Sequence, residues 1–282
     1  MTSSFFVPGH ITGFFNIEDH DVSLRKGSCG AGFLLSKGVR TTVSPGDELA
    51  IDVNQGDFTV IDEVLSIFDV EIDGLKITQD IQLPIGAGFG TSAASAFSLS
   101  LALNEFLDLG YSKELCGQIA HMAEINLGAG LGDVIAQTGN GLVFRTKAGA
   151  PGIGEIESFE HDVYVAWKTF GEIETSSIIQ DSHHKKVISY SGIKYWQLFK
   201  EEPSLKNFLD FSNRFAHETK LMSGDVKELV DYFNSSDNIL GSSMAMLGNT
   251  AFAFSYNEDA FKTLGIEDLH IDKLNNIGIV HD

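Results

Sequence analysis

The sequence is poor in several residue types, and each shortage argues against a class of protein. Only two cysteines are present, Cys29 and Cys116, and their spacing suggests neither a disulfide framework nor a metal knuckle. Lys and Arg number 19 against 39 Asp and Glu, and the net charge of −20 opposes binding to nucleic acid. The sequence contains no run of about 18 apolar residues, which argues against a membrane span. The first residues, MTSSFFVPGH, lack the features of a signal peptide, so we expect a cytoplasmic protein.

The residues that are abundant indicate a globular chain. Hydrophobic residues make up 43% of the sequence and include 21 phenylalanines, which favours a well-filled core over disorder. A stretch rich in turn formers, 148–154, is the candidate domain boundary. We therefore expect one domain over residues 1–150 and a second over 151–282. Strand-like and helical runs are mixed without strict βαβ alternation, which favours an α+β fold.

Local patterns predict several individual elements. Apolar and β-branched runs predict strands over residues 48–53, 58–62 and 75–83. Helices are predicted over residues 92–109 and from the N-cap Ser112 to Gly128. A proline, two glycines and a histidine within residues 8–13 argue against a plain strand there. The run GSCGAG, residues 27–32, resembles a glycine loop, with a hairpin turn as the alternative.

The most informative motif is a glycine-rich segment between a predicted strand and a predicted helix. It reads PIGAGFGTSAA over residues 84–94, with glycines at alternate positions. Such a loop exposes backbone N–H groups and a helix N-terminus to an anion, although an ordinary turn before a core helix is the alternative. It lacks the Gly-Lys-Ser/Thr of a Walker loop and does not complete G-x-G-x-x-G. A phosphate bound here needs positive charge from the helix end, magnesium or a distant side chain.

Other candidate groups lie in three separate segments. Glu124 and Asp133 flank a glycine-rich turn and suit magnesium binding and proton abstraction, or else a helix end followed by a capping residue. His10 could hydrogen-bond an anion or lie in the core. The basic pair Arg25 and Lys26 precedes GSCGAG and could bind the carboxylate of a small acid, with a solvated turn as the alternative.

Residues 84–94 resemble the phosphate loop of the GHMP kinases, the family of galacto-, homoserine, mevalonate and phosphomevalonate kinases. Phe89 and Thr91 stand where that family has Leu and Ser. Pro8-Gly9 and residues 241–248 occupy the places of its first and third motifs, although GSSMAMLG departs from the common third motif and His10 replaces a lysine. The resemblance implies an α+β, two-domain GHMP kinase fold. The N-terminal domain would carry the phosphate loop, the C-terminal domain would be ferredoxin-like, and the site would lie between them.

The same resemblance implies roles for individual residues. Mg²⁺ would be held by Ser92 and Glu124, and Asp133 would lie beside the acceptor hydroxyl as its base or only to orient it. ATP would be bound by Pro84, Gly86, Ala87, Gly88, Phe89, Gly90, Thr91, Ser92 and Ala93. Substrate-binding candidates are His10, Arg25, Lys26, Ser28, Gly30 and Ser243.

Four blocks, PGHITGFF, GSCGAG, GLGDVIAQ and SMAMLG, together resemble the archaeal pantoate kinases within this family. That resemblance implies transfer of a phosphoryl group from ATP to (R)-pantoate, giving (R)-4-phosphopantoate on the route to coenzyme A. The alternatives are another GHMP kinase acting on homoserine, mevalonate or a related small alcohol, and a non-catalytic nucleotide-binding paralogue. Homodimers are the commonest oligomers, so a homodimer is the default expectation.

Overall fold

The computed structural model describes residues 2–70, 73–171 and 182–282, and the side chains of all of these except 182–184. The described residues form eight α-helices and eleven strands arranged in two sheets. None of the described helices combines the length and the apolar character that crossing a membrane requires.

The larger sheet is built on one long hairpin. Its strands are β1 (Ser3–Glu18), β2 (Gly27–Pro45), β3 (Ala50–Val53), β4 (Leu75–Ile81), β5 (Leu142–Lys147), β6 (Glu155–Phe159) and β11 (Val280–His281). The main path runs β11-β1-β2-β4-β3. Residues 30–33 of β2 pair with β5, whereas residues 39–45 pair with β4. Strand β2 therefore connects the β5–β6 branch to the rest of the sheet.

The hairpin corrects two predictions about its glycine-rich segments. Residues 8–15 and 27–32 are paired strand, interrupted on β1 only by register shifts between Pro8 and His10 and between Thr12 and Phe14. The prediction of a glycine loop over 27–32 was therefore wrong. These glycines allow close approach instead, since a Cβ on Gly32 would lie 2.2 Å from His10 Nε2.

The helices pack against both sheets. They are α1 (Thr59–Phe68), α2 (Thr91–Phe106), α3 (Lys113–Leu127), α4 (Asp133–Ala136), α5 (Ser182–Glu201), α6 (Leu205–Thr219), α7 (Gly224–Asn234) and α8 (Asp259–Lys262). Ser112 caps α3 and Gly128 ends it in a left-handed conformation, as expected. The prediction of a strand over 58–62 was wrong, because the buried residues of α1 follow helical spacing (Ile61, Val64, Leu65 and Phe68).

The smaller sheet comprises β7 (Tyr164–Thr169), β8 (Gly241–Met244), β9 (Thr250–Ser255) and β10 (His270–Lys273). Its order is β10-β7-β9-β8, and every pair is antiparallel. Helices α5 to α7 connect β7 to β8, and α8 lies between β9 and β10. Within the described residues, the resulting β-α-β-β-α-β order is the ferredoxin-like arrangement that the family resemblance implies.

The two sheets share one hydrophobic core. Phe33 of β2 packs edge-on against Phe252 and Phe254 of β9, with ring centroids 5.0 Å and 4.8 Å away. The larger sheet also takes β6 and β11 from beyond residue 150. Sheet membership therefore does not follow a division into residues 1–150 and 151–282, and that division stays a prediction.

Candidate active site

The glycine-rich loop connects β4 to α2 in a conformation that requires glycine. Gly88 has φ of 88°, and Gly90, the N-cap of α2, has φ of 58°. A Cβ on Gly90 would lie 3.1 Å from the carboxyl group of Asp133. Helix α2 begins at Thr91, so its free N–H groups lie directly at the loop.

Contacts from both sheets hold this loop from behind. Thr250 donates its hydroxyl to the Ala87 carbonyl at 2.8 Å, and the backbone N–H of His10 donates to the Phe89 carbonyl at 2.8 Å. The Phe89 ring packs edge-on against Trp167, with centroids 4.7 Å apart. The loop is therefore fixed in position by residues distant in the sequence.

A cavity of about 290 Å³ opens in front of the loop. Its lining combines the loop and the start of α2 with two carboxylates and one arginine. The lining residues are Thr12, Phe15, Ser28, Ile85, Gly86, Gly88, Phe89, Gly90, Thr91, Ser92, Glu124, Ala129, Gly130, Leu131, Gly132, Asp133, Arg145, Met246 and Leu247. Six of the predicted ATP-binding residues, together with Ser28, Glu124 and Asp133, thus line one space.

The turn between α3 and α4 brings two carboxylates together. Glu124 lies in the last turn of α3, and Asp133 is the first residue of α4. A Cβ on Gly130 would lie 2.3 Å from Glu124 Oε2 and 3.1 Å from Asp133 Oδ2. Glycine at position 130 therefore leaves space for both side chains on the same side of the turn.

Glu124 has the environment of a carboxylate that needs a cation. Its side chain is buried, and neither oxygen has a hydrogen-bond partner within the described residues. Burial, together with the negative charge of Asp133, raises the pKa of Glu124 to about 8, although nearby Ser92 and the Gly130 backbone oppose the shift. The described residues contain no cluster of three or more metal-ligating His, Cys, Asp or Glu side chains. One carboxylate beside a phosphate loop nevertheless suits Mg²⁺, which takes few protein ligands besides substrate phosphates.

Asp133 is held as an anion. Its Oδ1 accepts a hydrogen bond from His10 Nδ1 at 2.7 Å, while 24% of its side chain stays exposed toward the cavity. Burial alone raises the pKa of Asp133, but the hydrogen bond from His10, the electrostatic effect of the same ring and the charge of Arg145 together outweigh burial and lower the pKa. The pKa values of Asp133 and Glu124 are therefore shifted in opposite directions, a pattern common at catalytic sites.

Arg145 is the principal site residue that the sequence analysis missed. It lies on β5, is 1% exposed, and has a buried Nε with no partner among the described residues. Its neighbour in the wall is Ser28, since a Cβ on Gly132 would lie 2.3 Å from Ser28 Oγ and 2.9 Å from Arg145 Nε. A guanidinium buried with an unused donor suits a carboxylate. The signal in the sequence is an arginine that directly follows the apolar run Leu142–Phe144 within one strand.

The other predicted substrate residues do not line the cavity. Arg25 is exposed in a short 3₁₀ helix, and Lys26 pairs with Asp19 at 3.3 Å. His10, Gly30 and Ser243 are buried within strands. The structure therefore does not bring this basic pair into the cavity.

Two of the predicted ATP-binding residues border a second space. Pro84 and Ala87 line a cavity of about 350 Å³ on another side of the loop, together with Gln55 and Thr169. Ala93 lies in the first turn of α2 and is fully buried. The loop thus separates two cavities that both include Ile85.

Comparisons with known proteins match this geometry. The family described as GHMP kinases N terminal domain matches residues 58–141. The pantoate kinase of Methanocaldococcus jannaschii is 33% identical over 93% of this chain and 96% of its own length. The pantoate kinase of Thermococcus kodakarensis is 32% identical over 91% of this chain and 89% of its own length. A solved structure titled "Phosphotransferase related to CoA biosynthesis pathway" superposes with a TM-score of 0.89 at 27% identity, covering 100% of this chain and 99% of that one.

Proposed function

Because this chain belongs to the GHMP kinase family, we propose that it transfers a phosphoryl group from ATP to the terminal hydroxyl of (R)-pantoate. The product is (R)-4-phosphopantoate, on the route to coenzyme A. The observation that carries this choice is the arrangement of one cavity. Its glycine loop and two carboxylates suit phosphoryl transfer, and a buried arginine with an unused donor suits a substrate carboxylate.

The nucleotide end of the site is formed by backbone. Residues 86–92 present N–H groups and the positive end of α2, a helix of 16 residues, to the phosphates. Glycines at 88 and 90 let the phosphates approach the main chain closely. This end lacks a lysine, so its positive charge must come from the helix and from a bound metal ion.

Glu124 and Ser92 are suited to hold Mg²⁺ beside the phosphates. Both line the cavity, and the Glu124 oxygens are without partners among the described residues. When bound, the ion neutralises charge on the phosphates. A cation next to Glu124 would also stabilise its ionised form against the effect of burial.

Asp133 serves the acceptor hydroxyl. Its Oδ1 is occupied by His10, and Oδ2 remains to accept a hydrogen bond from the hydroxyl and to take its proton. The acceptor oxygen then forms its bond to the γ-phosphorus as the bond to ADP breaks. Orientation of the hydroxyl is part of this role, because phosphoryl transfer depends mainly on alignment and charge neutralisation.

Arg145 and Ser28 hold the carboxylate of the acceptor. Arg145 Nη1 donates to Thr12 Oγ1 at 3.4 Å. Arg145 Nε has no partner among the described residues, so it remains an unused donor in the wall of the cavity. Ser28 adds a hydroxyl next to it. Phe15 supplies an apolar surface for the dimethyl centre of pantoate. No described contact supports a similar role for Arg25 or Lys26.

Other aspects of the function remain predictions. The net charge of −20 supports a protein that does not bind nucleic acid. A cytoplasmic location and a homodimer rest on the sequence alone.

The proposal is tested by a substrate panel in an assay that couples ADP release to NADH oxidation. We expect turnover with (R)-pantoate and at most trace turnover with homoserine and mevalonate. Calorimetric titration with a non-hydrolysable ATP analogue measures nucleotide binding separately. Turnover with mevalonate but not pantoate would refute the substrate, and binding without turnover on any acceptor would refute the enzyme.

A further inference from the structure

His10 lies behind Asp133 rather than in the cavity. Its side chain is 0% exposed, and Nδ1 lies 2.7 Å from Asp133 Oδ1. Its backbone N–H donates to the Phe89 carbonyl of the phosphate loop at 2.8 Å. One residue therefore contacts both the loop and the proposed base.

The neighbours of the ring determine where its proton lies. His10 Nε2 is 3.4 Å from Nη1 of Arg145. A guanidinium can only donate hydrogen bonds, so Nε2 must be unprotonated and act as the acceptor. The proton is then on Nδ1 and is donated to Asp133. The β2 backbone fixes the ring in this place, since a Cβ on Gly32 would lie only 2.2 Å from Nε2.

We propose that His10 is a positioning residue which, as the neutral Nδ1–H tautomer, holds Asp133 Oδ1 and leaves Oδ2 as the oxygen that receives the acceptor hydroxyl. This role rests on the proposed kinase function. Burial lowers the pKa of His10 and outweighs the opposing effect of Asp133, which supports a neutral ring. An imidazolium at this position would point an N–H at a guanidinium that is also buried.

A neutral side chain at position 10 also leaves Arg145 and Asp133 undisturbed at the acceptor end. A permanent cation there would lie beside Arg145 and repel it in a poorly hydrated interior. The same cation would compete with the substrate hydroxyl for Asp133. A histidine at this position therefore supplies a donor to Asp133 without adding a charge next to Arg145.

Three substitutions at position 10 test this role by kinetics. His10→Asn keeps a donor near the position of Nδ1, whereas His10→Leu has similar volume and no donor. We expect His10→Leu to lower kcat about 100-fold, a typical loss for misplaced acid–base groups, with KM for ATP unchanged. His10→Asn should retain most of the wild-type kcat, and His10→Lys should raise KM for pantoate. His161→Leu, whose ring lies outside the cavity, is the control and should keep wild-type kinetics.

A double-mutant cycle and a spectrum separate positioning from mere structural support. If His10 acts through Asp133, His10→Leu should slow the Asp133→Asn enzyme no further. Nitrogen-15 NMR of histidine-labelled protein, assigned by the signal lost in His10→Asn, should show a neutral ring protonated at Nδ1. An Nε2–H tautomer, an imidazolium at neutral pH, or additive kinetic effects would overturn the proposal.

The spectrum does not depend on catalysis. A wild-type protein inactive on pantoate would refute the proposed function, and the tautomer and its bond to Asp133 would still be measured. An Nδ1–H ring accompanied by normal kcat in His10→Leu would instead refute the positioning role alone.

Discussion

The two ends of the cavity are built from different parts of the chain. The proposed nucleotide end is one continuous segment, residues 86–92, and it offers mostly backbone N–H groups. The proposed acceptor end is assembled from side chains on separate elements, with Ser28 on β2, Arg145 on β5 and Asp133 on α4. A backbone site can bind phosphates in many enzymes, whereas an assembled set of side chains can select one acceptor. Substitutions at the two ends should therefore affect different kinetic constants.

The largest effect is expected at Asp133, which lies where the two ends meet. Asp133→Asn preserves the shape of the side chain but removes the charge that accepts the hydroxyl proton, so kcat should fall about 1,000-fold. KM for ATP should change little. Steady-state assays with each substrate varied in turn measure both constants. Asp162→Asn is the control, since its side chain is 93% exposed, and near wild-type rates in Asp133→Asn would exclude an acid–base role.

The acceptor end alone should respond to Arg145→Lys. Lysine keeps the charge but loses the planar fork of donors, so KM for pantoate should rise about 100-fold. KM for ATP should stay close to wild type, which separates the two ends. Arg214→Lys is the matched control, because its guanidinium is on the surface and pairs with Asp210. Equal increases in both KM values would show that Arg145 supports the whole site rather than the carboxylate.

The nucleotide end alone should respond to Gly88→Ala. The new Cβ would sit at φ of 88° and 3.0 Å from Ala245 Cβ. Backbone strain of this kind costs about 1–3 kcal/mol, so KM for ATP should rise about 10-fold. Gly110→Ala provides the control, since it imposes a similar φ of 68° and its Cβ would meet no atom of the described residues within 4 Å apart from its chain neighbours. A larger change in KM for pantoate than for ATP would contradict the separation of the ends.

The smallest effect is expected at the contact behind the loop. Thr250→Val removes the donor to the buried Ala87 carbonyl and should lower the free energy of unfolding by about 1–3 kcal/mol. Thr250→Ser keeps the hydroxyl and should lose less. Urea denaturation of the three proteins measures the difference. Equal stability of Thr250→Val and wild type would show that this hydrogen bond does not fix the loop.

The same contrast explains what the sequence could predict. The phosphate loop is contiguous, so its residue order alone indicated the GHMP kinases, and the family and the α+β class are confirmed. The pair Arg25–Lys26 is a candidate in the sequence because the two cations are adjacent. Adjacency does not reveal burial, and Lys26 pairs with Asp19 while Arg145 lies within the wall of the cavity. Only the pairing of β2 with β5 brings Arg145 next to Ser28.

Secondary-structure errors had a similar cause. The window 58–62 was too short to show that Ile61, Val64, Leu65 and Phe68 recur with helical spacing, so α1 was predicted as a strand. In residues 27–32 the glycines resembled a loop, but their function is to let β1 approach. That close contact involves residues such as His10 that are far away in the sequence. Local sequence patterns carry no information about a contact between residues so far apart in the chain.

The two tryptophans of the chain are divided between the two ends of the cavity. Trp167 touches the phosphate loop through Phe89, and Trp196 donates its indole N–H to the carbonyl of Arg145 at 3.1 Å. Each end therefore has its own native fluorophore. In Trp196→Phe the remaining emission reports on nucleotide, and in Trp167→Phe it reports on the acceptor, so the order in which the two substrates bind can be followed optically without any label.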